Sequence, residues 1–292
     1  MSYLSFDFNG DIDDSAIRKA LQEDGVLVVK NAIASSDVDL LRKIVLNHLN
    51  QFGERLMLGK TQPNAAVAVK DMEFLFANKN IIDIYKRILG PNAVVFTGHS
   101  DIHKNLISGW HKDSGESVGG YFEGDYIAAD DCTVYKVATY LQNTNVGDGL
   151  TVRIGSHRSK SLTEGKEVKL NLDRGDIVIF DVRISHVGRI PNTVERLLKN
   201  CSRLANFGNR NRQDPRLVSW IAEKLARLVG RKDRMSVFFT FGPPNKFTFD
   251  FSQNNMKRQN EQSKGFESVI PAKLKDAFAL QGVTTYSPGI ET

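Results

Sequence analysis

The chain has 292 residues, 41% of them hydrophobic and 25% charged, and a formal net charge of +5. This composition is ordinary for a globular enzyme, supplies enough apolar residues for a substantial core, and excludes collagen-like or disordered chains. The charge suits an anionic substrate or surface, and it is too small and too dispersed to argue for nucleic acid.

The two cysteines, Cys132 and Cys201, stand far apart. They make neither a zinc site nor a disulfide framework, so a reducing cytoplasm is the expected location. The N-terminus lacks the basic start and long apolar run of a signal peptide. No apolar run approaches the roughly 20 residues needed to span a bilayer.

In chain order, residues 13–24 read as a helix capped by Asp13 or Asp14, with Ile17, Ala20 and Leu21 on one face. Gly25 ends it, and residues 26–29 are a short buried strand. A second helix covers residues 37–52, where His48 takes no functional role. Neither period dominates residues 53–80, which are expected to cover one mouth of the core. Residues 81–89 form a helix closed by Gly90-Pro91.

From Ala93 the pattern turns to strands: residues 94–104 with a bulge at Gly98, then 133–141, 150–154, 168–172 and a long one over 177–186. On that last strand Val178, Phe180, Val182, Ile184 and His186 share a face. Gly- and acid-rich residues 114–131 form a loop, and residues 143–149 a turn. Residues 203–207 read as one more strand and 214–230 as an amphipathic helix. The Leu/Ile side of that helix is expected to pack inward rather than dock on an acidic membrane surface. Residues 236–241 are β-prone, and 253–264 are polar and basic. Helices first and many short strands after them suggest an α+β protein with a double-stranded β-helix (jelly roll, cupin-like) core, flanked by N-terminal and C-terminal helices.

One stretch carries chemistry: Gly109-Trp110-His111-Lys112-Asp113. Residues two apart on a strand share a face, so His111 and Asp113 would project together. With His186 they would form a facial triad of two histidines and a carboxylate, a set that holds Fe(II) and leaves positions open. On the tripeptide alone, a surface pair of His111 and Asp113 is the better reading. His99 and His103 could form a rival group with His111 but read better as strand histidines. Asp131 and Asp176 read as turn residues, and Trp110 as core packing.

Four segments in order raise the triad above chance. "DGVLVVKNAI", "WHKD", "ATYLQNTNVGDGLTVRIGSH" and "GDIVIFDVRISHVGRIPN" resemble the phytanoyl-CoA dioxygenase family of Fe(II)/2-oxoglutarate-dependent oxygenases. The likeness covers roughly residues 24–207 of a single domain, with 208–292 as an extension packing on or near the core.

The resemblance implies His111, Asp113 and His186 as iron ligands, with 2-oxoglutarate and O2 as cosubstrates. It also implies an arginine, about eleven residues after the second histidine, that grips the distal carboxylate of 2-oxoglutarate. This chain departs there: Arg196 lies ten residues after His186 in a loop-like segment, and Arg203 seventeen after it at the start of an expected strand. Arg203 is favoured because a strand holds a guanidinium rigidly. The resemblance further implies a second cosubstrate contact, a lysine on the strand before the metal motif; Lys104 matches that place, and Lys136, at the centre of the next strand, is the alternative. His157 in Gly-Ser-His is expected to be structural. Related halogenases lack the carboxylate, so Asp113 argues for hydroxylation, desaturation or cyclisation of a small molecule. The competing reading is a jelly roll that binds a sugar or small ligand without redox chemistry.

Overall fold

The computed structural model describes residues 3–115, 120–144, 149–206, 213–262 and 269–286. Parts of the expected loop 114–131, turn 143–149, strand 203–207 and segment 253–264 lie outside these residues.

The N-terminal third follows its sequence pattern. β1 (Leu4–Asp7) leads to α1 (Asp14–Glu23), whose Asp13 cap accepts from the Ser15 amide. β2 (Val26–Lys30) and α2 (Ser35–Gln51) follow. The stretch that showed no period is a hairpin, β3 (Glu54–Leu56) and β4 (Gly59–Pro63), then two short helices, α3 (Ala65–Ala68) and α4 (Glu73–Phe76). α5 (Lys79–Leu89) closes the helical part.

The strands are β5 (Val95–Lys104), β6 (Tyr135–Tyr140), β7 (Thr151–Ile154), β8 (Lys166–Lys169), β9 (Ile177–Asp181) and β10 (His186–Val187). Then come α6 (Thr193–Ala205), α7 (Arg216–Leu228), β11 (Met235–Gly242), α8 (Lys246–Gln262), α9 (Ala272–Ala279) and β12 (Thr284–Thr285). The main sheet runs β1-β2-β9-β6-β11-β5-β4-β3, with β12 beside β5, and a three-stranded sheet runs β10-β7-β8.

Directly paired residues share a face, so the register sorts the side chains. Leu27, Ile179, Val137 and Phe239 form one row that packs under Leu21 of α1, Leu41 of α2 and Tyr85 of α5. The opposite row, Val178, Ala138 and Phe238, packs with Val152 and Leu170 on the smaller sheet's side. Two sheets closed over an apolar interior, with helices against one outer face, make the expected double-stranded β-helix.

Three segments differ from their sequence pattern. The long strand expected over 177–186 breaks at 182–185, because the Asp181 carboxylate accepts from Arg183 N and Nε and its carbonyl from Ile184 N at 3.0 Å. This turn moves His186 onto the smaller sheet, opposite Val152. Residues 203–205 are helical, not extended: Asn192 and Glu195 form a reciprocal capping box that starts α6. The polar segment after residue 252 continues α8, whose Ser252, Asn255 and Gln259 are buried. β11, beyond the part covered by the resemblance, lies in the main sheet between β6 and β5.

Candidate metal centre

His111 and His186 face each other through a two-way backbone bridge, His111 N to His186 O at 3.1 Å and His186 N to His111 O at 2.9 Å. The "WHKD" stretch forms this single bridge rather than a regular strand. Asp113 is fixed by its amide, which donates to Val182 O at 2.8 Å. The broken strand therefore builds the site: the turn after Asp181 presents both Val182 O and His186 to the His-x-Asp segment.

The ligand-type atoms of His111, Asp113 and His186 all lie within 4.8 Å of one another. His186 Nε2 is 3.3 Å from Asp113 Oδ2, and His111 Nε2 is 3.8 Å from Oδ1. His111 Nδ1 donates to Gly109 O at 2.8 Å, and His186 Nδ1 to Ile184 O at 3.1 Å. With Nδ1 carrying the proton, each Nε2 lone pair is free to bind a cation, the usual way backbone partners orient ligating imidazoles. Burial pushes the His186 imidazole down to about 3, against the pull of Asp113. Burial also opposes ionisation of Asp113, but Lys136, His186 and His111 outweigh it and hold its carboxyl well below the usual range.

Lys136 enters this centre directly, with Nζ 2.7 Å from Asp113 Oδ2. The alternation of β6 puts it on the interior face beside Phe180 of β9 and Thr240 of β11. Lys104 falls on the other face: it is paired with Met235, whose side chain lies in the helix-covered core, and its ammonium binds Asp233 at 2.9 Å. Arg196 and Arg203 do not reach the centre. Both are exposed on α6, where Arg196 Nε donates to Pro191 O at 3.2 Å. The expected strand placement of Arg203 is thus corrected to a helix surface.

His99 and His103 are not part of the metal group. His99 bonds Thr240 Oγ1 at 2.7 Å and Asp101 Oδ2 at 3.1 Å. His103 lies 5.0 Å from the Phe238 ring, and burial pushes it down to about 4. Trp110 is half-buried beneath the Arg153 guanidinium, 4.3 Å above its ring, rather than in the core. His157 Nε2 donates to Gln22 O at 3.1 Å, tying the Gly-Ser-His turn to the end of α1.

One buried arginine, Arg234, belongs to none of the sequence motifs. It is 5% exposed and immediately precedes β11. Its guanidinium lies 5.0 Å above the Tyr140 ring and donates to the Tyr140 hydroxyl at 3.1 Å. A Cβ on Gly188 would stand 3.1 Å from Nη2, so the group reaches from the main sheet to the strand that carries His186. Its field and that of Lys136 both act on His103. An arginine at the head of a β-prone run was the available signal, hidden by the helices inserted before it.

No protein-family model and no curated protein matches the chain. Solved structures do. The non-heme alpha-ketoglutarate (2-oxoglutarate) dependent epimerase SnoN from nogalamycin biosynthesis superposes with a TM-score of 0.54 at 12% identity, over 79% of this chain and 82% of that one. The carbocyclase SnoK of the same biosynthesis gives 0.54 at 14% identity, over 79% and 84%. EvdMO1 gives 0.53 at 16% identity, over 80% of this chain and 50% of that one. This chain shares their fold. At such identities the likeness speaks for architecture, and the chemistry has to be argued from the residues above.

Proposed function

We propose that this protein is a non-haem Fe(II)/2-oxoglutarate-dependent dioxygenase of the phytanoyl-CoA dioxygenase type that hydroxylates a small, anionic molecule. One observation carries the reading: His111, Asp113 and His186 converge with both Nε2 lone pairs free, within a fold common to 2-oxoglutarate-dependent enzymes. Two imidazoles and one carboxylate on one side of a cation suit iron(II) and leave positions for other ligands. Bound there, iron with 2-oxoglutarate and O2 supplies the oxidising chemistry, with succinate and CO2 released.

The chain's own part is positional. Gly109 O and Ile184 O hold the two imidazoles in the tautomer that presents Nε2. Arg234, braced by Tyr140, is suited to grip the far carboxylate of 2-oxoglutarate through its planar fork. It takes the part first expected of Arg203 or Arg196. Lys136 balances the Asp113 charge. Phe180, 5.1 Å from the His186 ring, keeps the interior beside that histidine apolar, which limits water at the reacting bond.

Anaerobic titration with Fe(II) and 2-oxoglutarate tests the reading. A visible charge-transfer band should appear in the native protein and be absent from folded His111→Ala and His186→Ala. If the folded native protein gives no band, the oxygenase reading falls and a non-catalytic jelly roll that binds a sugar or small ligand replaces it.

A further inference from the structure

The two helices between β10 and β11 carry their polarity inside out. α6 buries Glu195 and Ser202, and α7 buries Ser219. Their apolar rows face solvent instead: Leu197 is 61% exposed, Leu204 77%, Trp220 57% and Leu228 81%. The polar residues underneath fasten the helices to the barrel. Glu195 accepts from Arg189 at 2.6 Å and from Arg231. Ser202 donates to Asp214, whose other oxygen accepts from Leu58 N at 2.8 Å. The inward packing expected for α7 is therefore reversed, and ordinary core formation does not account for its leucines.

The charge is equally one-sided. Residues 193–232 hold ten basic and three acidic residues, a net of +7, while the whole chain carries +5. The positive charge is concentrated here rather than dispersed. Two of the three acids, Glu195 and Asp214, are turned inward and paired. Beside α6 a groove of about 450 Å³ is lined by Arg196, Lys199 and Arg203 together with Leu56 and Met57.

We propose that this helix pair docks the protein on an anionic phospholipid bilayer, with its leucines and Trp220 in the interface and its arginines and lysines at the lipid phosphates. Exposed leucine and tryptophan flanked by cations is the composition that binds such surfaces, through apolar burial plus attraction to anionic headgroups. A second copy of the chain fits less well, because a two-fold interface would bring two patches of +7 face to face. Nucleic acid needs the cations but leaves the leucine rows without a partner. Among the described residues no helix is long and apolar enough to cross a membrane, so the contact is peripheral. The inference is independent of the metal centre.

Flotation of the full chain with vesicles tests it. Native protein should float with phosphatidylcholine vesicles that contain phosphatidylserine, stay behind with phosphatidylcholine alone, and be released by high salt. Leu197→Gln/Leu204→Gln/Leu228→Gln and Arg196→Gln/Lys199→Gln/Arg203→Gln should each lower partitioning about 100-fold or more. All six sites are on the surface or at the groove, and circular dichroism would verify that both variants are folded. In a Trp110→Phe background, Trp220 emission should shift to the blue on binding. The proposal is overturned by failure of the folded native protein to float, by variants that float as well as it does, or by binding with no shift of Trp220. A native dimer that the leucine variants dissolve into monomers would assign the surface to a second copy instead, and would equally overturn it.

Discussion

The Lys136 ammonium lies 2.7 Å from Asp113 Oδ2, the same oxygen that stands 3.3 Å from His186 Nε2. A buried lysine thus occupies the charge environment that a divalent cation would enter. Its positive charge compensates the carboxylate and would oppose a second cation nearby.

Lys136→Met should therefore tighten binding of Fe(II), or of redox-inert Co(II), by about tenfold, since even a screened unit charge a few ångströms away acts at the level of ~1 kcal/mol or more. The metal-free variant should be less stable than the native protein, because Asp113 then lacks its partner. Calorimetric titration with Co(II) checks the first point. Weaker binding in the variant would mean that Lys136 instead holds Asp113 in its ligating rotamer.

Arg234→Lys should keep a positive charge but lose the planar fork and the stacking on Tyr140. Cosubstrate affinity should fall about 10- to 100-fold with metal affinity unchanged, as expected for loss of bidentate pairing. Arg203→Gln should alter neither, because Arg203 is on the exposed surface of α6. Titrating 2-oxoglutarate into the metal-loaded proteins distinguishes the two arginines. A drop for Arg203→Gln with none for Arg234→Lys would reverse the assignment.

These two arginines show where the sequence was readable. His111, Asp113 and His186 could be picked out because each is set by a local pattern, even though two of the expected strands are a lone bridge and a broken run. Arg234 could not, because its place depends on how many residues separate β10 from β11. That separation is filled by α6 and α7, so Arg234 lies 48 residues after His186. The capping box Asn192-x-x-Glu195 starts α6 and carries Arg203 onto a helix rather than a strand. Periodicity also revealed the one-sided leucines of α7 without saying which side faces in. The answer lies in Glu195, Ser202 and Asp214, whose partners come from distant parts of the chain.

Gly25 and His157 form a tight contact that a substitution would break. Gly25 has φ +76°, and a Cβ there would lie 2.5 Å from His157 Nδ1. The left-handed backbone alone costs a non-glycine residue ~1 kcal/mol, and the overlap adds to it. Gly25→Ala should cost about 2–4 kcal/mol in urea unfolding. Adding His157→Ala should relieve the overlap, so the double variant should lose less than the sum of the singles. Strict additivity would show that the ring is not what constrains Gly25.

Glu195 gives the helix insert a dependence on acid. Burial raises its carboxyl, but hydrogen bonds from Arg189, the Asn192 amide and Arg231 outweigh this and hold it below its ordinary value of 4.5. A carboxyl lowered in the folded state adds stability that is complete above pH 4.5 and is lost as pH falls through the folded value. Glu195→Gln should cost about 2 kcal/mol at pH 7, the scale of lost hydrogen bonds to charged partners, and progressively less below pH 4. The other carboxylates titrate alike in both proteins, so the difference between their unfolding free energies isolates this one. Urea unfolding of native and variant protein at pH 7 and pH 3 measures it, and a difference that stays constant between the two would show that Glu195 does not couple the insert to pH.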